Sequence, residues 1–139
     1  VLFNTGSSIL KKDFKKILDD FFPRYIKILT KKEYNNDIVE IRIEGHTSSE
    51  WKLNVSKDEA YFYNMNLSQD RTRKVLEYVL NNKELNSKEW AKTKLTANGL
   101  SSSKPILKNG IEDKEKSRRV EFRVRTNAES RMVKILTSN

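Results

Sequence analysis

Apolar residues return along this chain at two spacings, and each spacing marks a kind of element. From Ser8, Leu10, Phe14, Ile17, Leu18, Phe21, Tyr25 and Ile28 recur every three or four positions, with Lys11, Lys12, Lys15 and Lys16 on the wet side. This predicts an amphipathic helix, which Pro23 should kink or split because proline lacks an N–H and its ring crowds the preceding turn. In "DIVEIRIEGHT" the spacing drops to two. Val39, Ile41 and Ile43 face one way and Glu40, Arg42 and Glu44 the other, as in a half-buried strand. "RRVEFRVRT" repeats this, with Val120, Phe122 and Val124 inward and Glu121, Arg123 and Arg125 outward. "VLFN" at the start and "KLTANGL", ending at Gly99, read as two further strands.

Ser56 with Glu59 forms a capping-box pattern and opens a helix that runs to about Asn82. Asn86 with Glu89 repeats the pattern before a short helix around Trp90. "KKEYNND" and "SSEWKLNVS" follow neither spacing and are loops; "SSSKPILKNGIEDKEKS", with Pro105 and Gly110, is mostly loop. Ala128 to Leu136 reads as a last helix. The order is β-α-β-α-(α)-β-β. Both clear strands carry one charged face, so helices should cover the sheet on one side only: an α/β (α+β) two-layer sandwich with a mixed sheet.

One helical face is unusual. Asn64, Leu67, Ser68, Arg71, Val75, Tyr78 and Val79 share a stripe at 100° per residue. Its far end is ordinary core, but its near end carries an amide, a hydroxyl and a guanidinium where packing alone would need apolar side chains.

Composition narrows the chemistry. The 139 residues are 36% hydrophobic and 34% charged, with no cysteine and a single histidine, His46. Disulfides and thiol catalysis are excluded, and a zinc site would have to be built almost wholly from carboxylates. No Gly-x-Ser-x-Gly elbow accompanies His46. The expectation is therefore no enzyme, no metal and no cofactor. A formal charge of +9 favours polyanionic partners such as nucleic acid, acidic lipid or a carboxylate-bearing polymer, and serves solubility as well. No stretch approaches the ~18 apolar residues of a membrane span. With no initiator Met and no signal peptide, the chain reads as a domain of a longer protein whose membrane anchor would lie upstream.

"YNMNLSQDRTRKV" resembles the Asn-x-x-Leu-Ser-x-x-Arg-(Ala)-x-x-Val signature of the OmpA-like peptidoglycan-binding domain, with Thr72 in place of the usual Ala. "IRIEGHT", "LTANGLSSSKPI", "SRRVEFRV" and "VLFNTGSSIL" resemble, respectively, that family's second, third, closing and opening segments. The matches fall in order over residues 1–126, leaving 127–139 as a C-terminal helical extension. The resemblance implies non-covalent binding of the peptidoglycan stem peptide and its diamino acid, in the periplasm of a Gram-negative cell envelope. Arg71 would hold a carboxylate in a charge-assisted pair, Asn64 would bond the peptide backbone, Tyr63 and Leu67 would line the pocket, and Thr47 would sit at its mouth. Arg118 shares the inward phase of the last strand and could point into the same pocket or stay on a solvated rim. The family usually has Asp after Gly-x-Thr, where it meets an ammonium; here Ser48 stands there, with Glu50 the nearby carboxylate that could substitute. The long loop 48–58 and the C-terminal extension look more like the B subunit of a motor stator, phage-defence motors included. A homodimer is compatible with this.

Other readings stand beside these. Asn64 could satisfy a neighbouring loop, and Arg71 could pair with Glu59, Asp70 or a loop carboxylate. His46 and Trp51 read as structural. A nucleic-acid-binding domain would place aromatics on the open sheet face, yet that face carries Glu40, Arg42, Glu44, Glu121, Arg123 and Arg125. An oligomerisation module with an unused pocket is a third reading.

Overall fold

The computed structural model describes residues 2–52 and 54–127. Helix α1 (Lys12–Leu29) leads through a 3-10 turn (Asn35–Asp37) into β1 (Ile38–His46). Helices α2 (Lys57–Leu80) and α3 (Lys88–Lys94) precede β2 (Leu95–Gly99). A hairpin of β3 (Leu107–Lys108) and β4 (Ile111–Glu112), then α4 (Lys114–Ser117), lead into β5 (Arg119–Thr126). The sheet order is β2-β1-β5, parallel between β1 and β2 and antiparallel between β1 and β5. The expected mixed sheet is present. The expected final helix, Ala128 to Leu136, lies outside the described residues, and among those described no helix is long and apolar enough to cross a membrane.

The core forms where α1 and α2 cover the inward positions of the sheet. Phe14, Leu18, Phe22 and Ile26 of α1 are buried with Ile41 and Ile43 of β1 and with Val75 and Val79 of α2, while Phe22, Phe21 and Tyr25 pack their rings on Phe122. The α1 stripe is narrower than its spacing suggested, since Ile17 and Ile28 are exposed. Helix α1 also begins later than Ser8 and runs unbroken through Pro23. Proline forfeits only the bond to the carbonyl four residues back, and the burial of Phe22 and Ile26 on either side holds the helix together.

Three further expectations are corrected. Among the described residues of "VLFN" no strand forms; Phe3 makes a single bridge with Leu10. Val39 faces solvent and Ile38 takes the core position, because the β1–β5 register slips between Ile38 and Glu40. One extra residue on one strand is a β-bulge, and it reverses the facing of the residues before it. The Asn86–Glu89 capping box does not form, since α3 starts at Lys88 with Ser87 as an N-cap that makes no side-chain bond. The Ser56–Glu59 box does form in both directions. Within the segment read as loop, Asn109 and Gly110 both take positive φ (55° and 79°), as the tight turn of a two-residue hairpin requires.

Two glycines decide how closely α2 lies on the sheet. Gly45 and Gly99 are register partners on neighbouring strands. A Cβ at Gly45 would meet Thr72 Cγ2 at 2.7 Å and the Ser68 carbonyl oxygen at 2.9 Å; one at Gly99 would run into the backbone of Gln69 and into Ser68 Oγ. Helix backbone thus sits almost directly on strand backbone at the C-terminal ends of β1 and β2.

Candidate functional site

This close seating puts the polar half of the α2 stripe at the sheet's end. Ser68 Oγ accepts from the Ser101 N–H at 3.1 Å, Ser101 Oγ donates to the Tyr61 carbonyl at 2.7 Å, and the Thr47 N–H donates to the Ser101 carbonyl at 2.9 Å. The loops after β1 and β2 are therefore stitched to α2. The antiparallel register pairs His46 with Arg119, so the next residues outward meet as well: Arg118 Nη1 donates to Ser48 Oγ at 3.3 Å. Arg118 lies at the junction of α4 and β5 with its side chain turned toward Ser48.

Arg71 is only 9% exposed. Its Nε donates to the Ser7 carbonyl at 2.8 Å and its Nη2 to the Asn4 carbonyl at 3.3 Å, while the guanidinium lies 4.7 Å over the Phe3 ring. Burial, together with the nearby Arg118 charge, pulls its pKa down to about 10. Among the described residues no carboxylate pairs with it. Asp70 instead accepts from Ser8 Oγ and pairs with Arg73, and Glu59 is engaged in the helix cap. The N-terminal segment that cradles Arg71 was not expected, and nothing in its sequence marks two bare carbonyls as a guanidinium seat.

Asn64 is buried and its amide nitrogen donates to the carbonyls of Ser48 (3.2 Å) and Glu50 (3.1 Å). It therefore clamps the neighbouring loop. Both N–H groups are consumed, which leaves its oxygen as the atom able to face a ligand. Thr47, expected at the pocket mouth, is buried, and its Oγ1 has no protein partner among the described residues. Ser48 is buried too, its Oγ accepting from the Glu50 N–H. The Glu50 carboxylate faces Lys114 Nζ at 3.3 Å and Arg118 Nη1 at 3.7 Å. Glu112 takes the Ser49 N–H and hydroxyl at 2.8 and 2.5 Å. Lys114 and Glu112 reach the site only because the β3–β4 hairpin folds back, and the "NG" turn was the available signal. Leu67 is half-buried; Tyr63 is exposed and stacks on Trp51.

On the sheet's other face, Glu44, His46 and Glu121 bring one ligand atom each within 4.8 Å of one another. Both His46 nitrogens and Glu44 Oε1 are buried without hydrogen-bond partners. Arg123, however, approaches Glu44 at 3.2 Å and Glu121 at 3.3 Å, so a guanidinium already lies where a cation would bind. Arg42 pairs with Glu40 and Glu44, and Arg125 with Glu40. The charges on this face are thus largely paired with one another.

Two arginines and an asparagine thus gather where a helix crosses the strand ends of a mixed α/β domain. The chain belongs to the OmpA family, whose profile matches residues 2–119. It is 54% identical over 138 residues to the Zorya protein ZorB of Escherichia coli, covering 98% of this chain. The chain spans a little over half, 58%, of that relative's length. The periplasmic domain of Helicobacter pylori MotB shares the fold, with a TM-score of 0.63 at 22% identity over 99% of this chain and 76% of that one. So does the peptidoglycan-associated lipoprotein of Burkholderia pseudomallei, with a TM-score of 0.56 at 18% identity over 90% and 88% of the two chains.

Proposed function

We propose that this domain binds cell-wall peptidoglycan non-covalently through its stem peptide and so anchors an envelope complex to the wall. The observation that supports it is Arg71, nine-tenths buried beside a second arginine and lacking a carboxylate partner among the described residues. Burying a charge costs free energy unless it is paired. The Ser7 and Asn4 carbonyls hold Nε and one Nη2 proton, leaving the Nη1–Nη2 edge as a fork for a ligand carboxylate. Arg118 adds a second positive charge, and the Asn64 oxygen is placed to accept from a peptide N–H. Thr47 and Ser48 form the floor beneath, with Tyr63 and Leu67 as walls.

Ser48 is neutral and Glu50 is engaged by Lys114 and Arg118, so recognition rests on the diamino acid's carboxylate rather than its ammonium. On this reading the domain is periplasmic and belongs to a stator-type parent that is held at a membrane and works as a paired copy. The reading is one of binding, without catalysis. Co-sedimentation with purified sacculi tests it, with RNA as the control polyanion. Pelleting with sacculi and no comparable affinity for RNA is expected. Equal binding to both, vanishing together as salt rises, would reduce it to charge alone.

A further inference from the structure

Trp51 and Tyr63 stack with ring centroids 5.3 Å apart and planes inclined by 25°. The pair stands outside the hydrophobic core, Tyr63 is 46% exposed, and the adjoining Phe62 is 65% exposed. Two observations tie it to the pocket. Asn64, next to Tyr63, holds the carbonyl of Glu50, next to Trp51, so one clamp positions both rings. Tyr63 also lies a little over two turns before Arg71, about 12 Å along the helix axis. A stem peptide whose third residue sits at Arg71 spans about 10 Å back to its attachment point when extended.

We propose that the Trp51–Tyr63 pair is a stacking platform for a pyranose ring of the glycan strand that carries the bound peptide. A pyranose offers a face of C–H groups that packs on the electron-rich face of an aromatic ring, while its hydroxyls stay in water. Two rings already in contact lose little further freedom when a sugar docks. The loop that brings Trp51 to Tyr63 follows Ser48, so this subsite adds affinity on the side where the pocket lacks an acidic residue. The inference rests on the peptide pocket proposed above.

Calorimetric titration with two probes separates the two proposals: an L-Ala–D-Glu–diaminopimelate tripeptide, and the same tripeptide on an N-acetylglucosaminyl–N-acetylmuramyl disaccharide. The disaccharide should raise wild-type affinity about 3- to 10-fold. Trp51→Ala should abolish that gain while keeping the tripeptide affinity, and Trp51→Phe should keep part of it. Tripeptide binding with no gain from the disaccharide, or a gain that survives Trp51→Ala, overturns the platform and leaves the pocket standing. Loss of tripeptide affinity in Trp51→Ala would make the tryptophan a loop brace and also overturns it. Binding of neither probe to the wild type overturns the pocket itself.

Discussion

Glu50 turns its carboxylate to Arg118, 3.7 Å away, while its own carbonyl is held by Asn64. An internal acid thus occupies one of the two guanidiniums that a ligand carboxylate would use. The pair is exposed, and such pairs are worth little, so the competition should be mild.

Glu50→Gln should therefore tighten binding of the stem tripeptide by about 2- to 5-fold. Acetylating the side-chain amine of the diamino acid should change the affinity by less than that. Titration of both peptides against both proteins checks this. Weaker binding in Glu50→Gln, with sensitivity to acetylation, would make Glu50 the reader of the ammonium.

Arg71 should prove to be both ligand contact and structural support. Its bonds to Ser7 and Asn4 and its place over Phe3 fasten the N-terminal segment. Arg71→Ala should cost about 1–3 kcal/mol of stability and abolish measurable tripeptide binding at a temperature where the variant is folded. Arg71→Lys should recover part of each, since an ammonium lacks the planar fork. Thermal melts beside titrations distinguish the effects; unchanged peptide affinity in a folded Arg71→Ala protein would end the proposed site.

Gly99→Ala tests the seating of α2. The added methyl group would meet backbone atoms of Gln69, which cannot swing aside. A loss of about 1–3 kcal/mol is expected, whereas Gly110→Ala, with open space around it, should suffer only from its positive φ. Urea unfolding of the two variants measures the difference.

His46 should give the protein an acid-sensitive stability. Burial and the Arg119 charge hold its pKa below the ordinary value of 6.5, outweighing Glu121 and Glu44. The unfolded chain is then protonated first, and protons favour unfolding. The contribution is intact above pH 6.5 and is lost as pH falls through that value toward the folded pKa. Glu40, Glu44 and Glu121 also have lowered values, so a second loss follows below their ordinary 4.5. Urea unfolding across pH 7.5 to 3 should show a slope between pH 6.5 and 5 that His46→Gln flattens, with the carboxylate limb below pH 4.5 retained.

The sequence displayed what depends on local rules. The α2 stripe, its Ser56–Glu59 cap and the alternation of β5 need only helix or strand geometry, and the structure reproduces them. What it concealed depends on partners distant along the chain. Alternation within β1 points Val39 inward, whereas the bulge that turns it outward is set by the pairing with β5. Pro23 signals a kink or split in the sequence because the packing of α1 on Phe122 leaves no local trace. Arg71, Asn64, Ser48 and Arg118 were all singled out, and the fold brings them to one end of the sheet. The carbonyls of Asn4 and Ser7 could not be foreseen, since every residue has a carbonyl.

The Gly45–Gly99 contact bears on how force would travel through the domain. Most helices rest on sheets through a layer of side chains, which can shear and recover like a cushion. At these two positions the cushion is missing, and α2 bears on strand backbone. A pull delivered to Arg71 or Asn64 would pass into the sheet with little give, so a tether fixed there would drag the domain as one stiff body rather than stretch its grip.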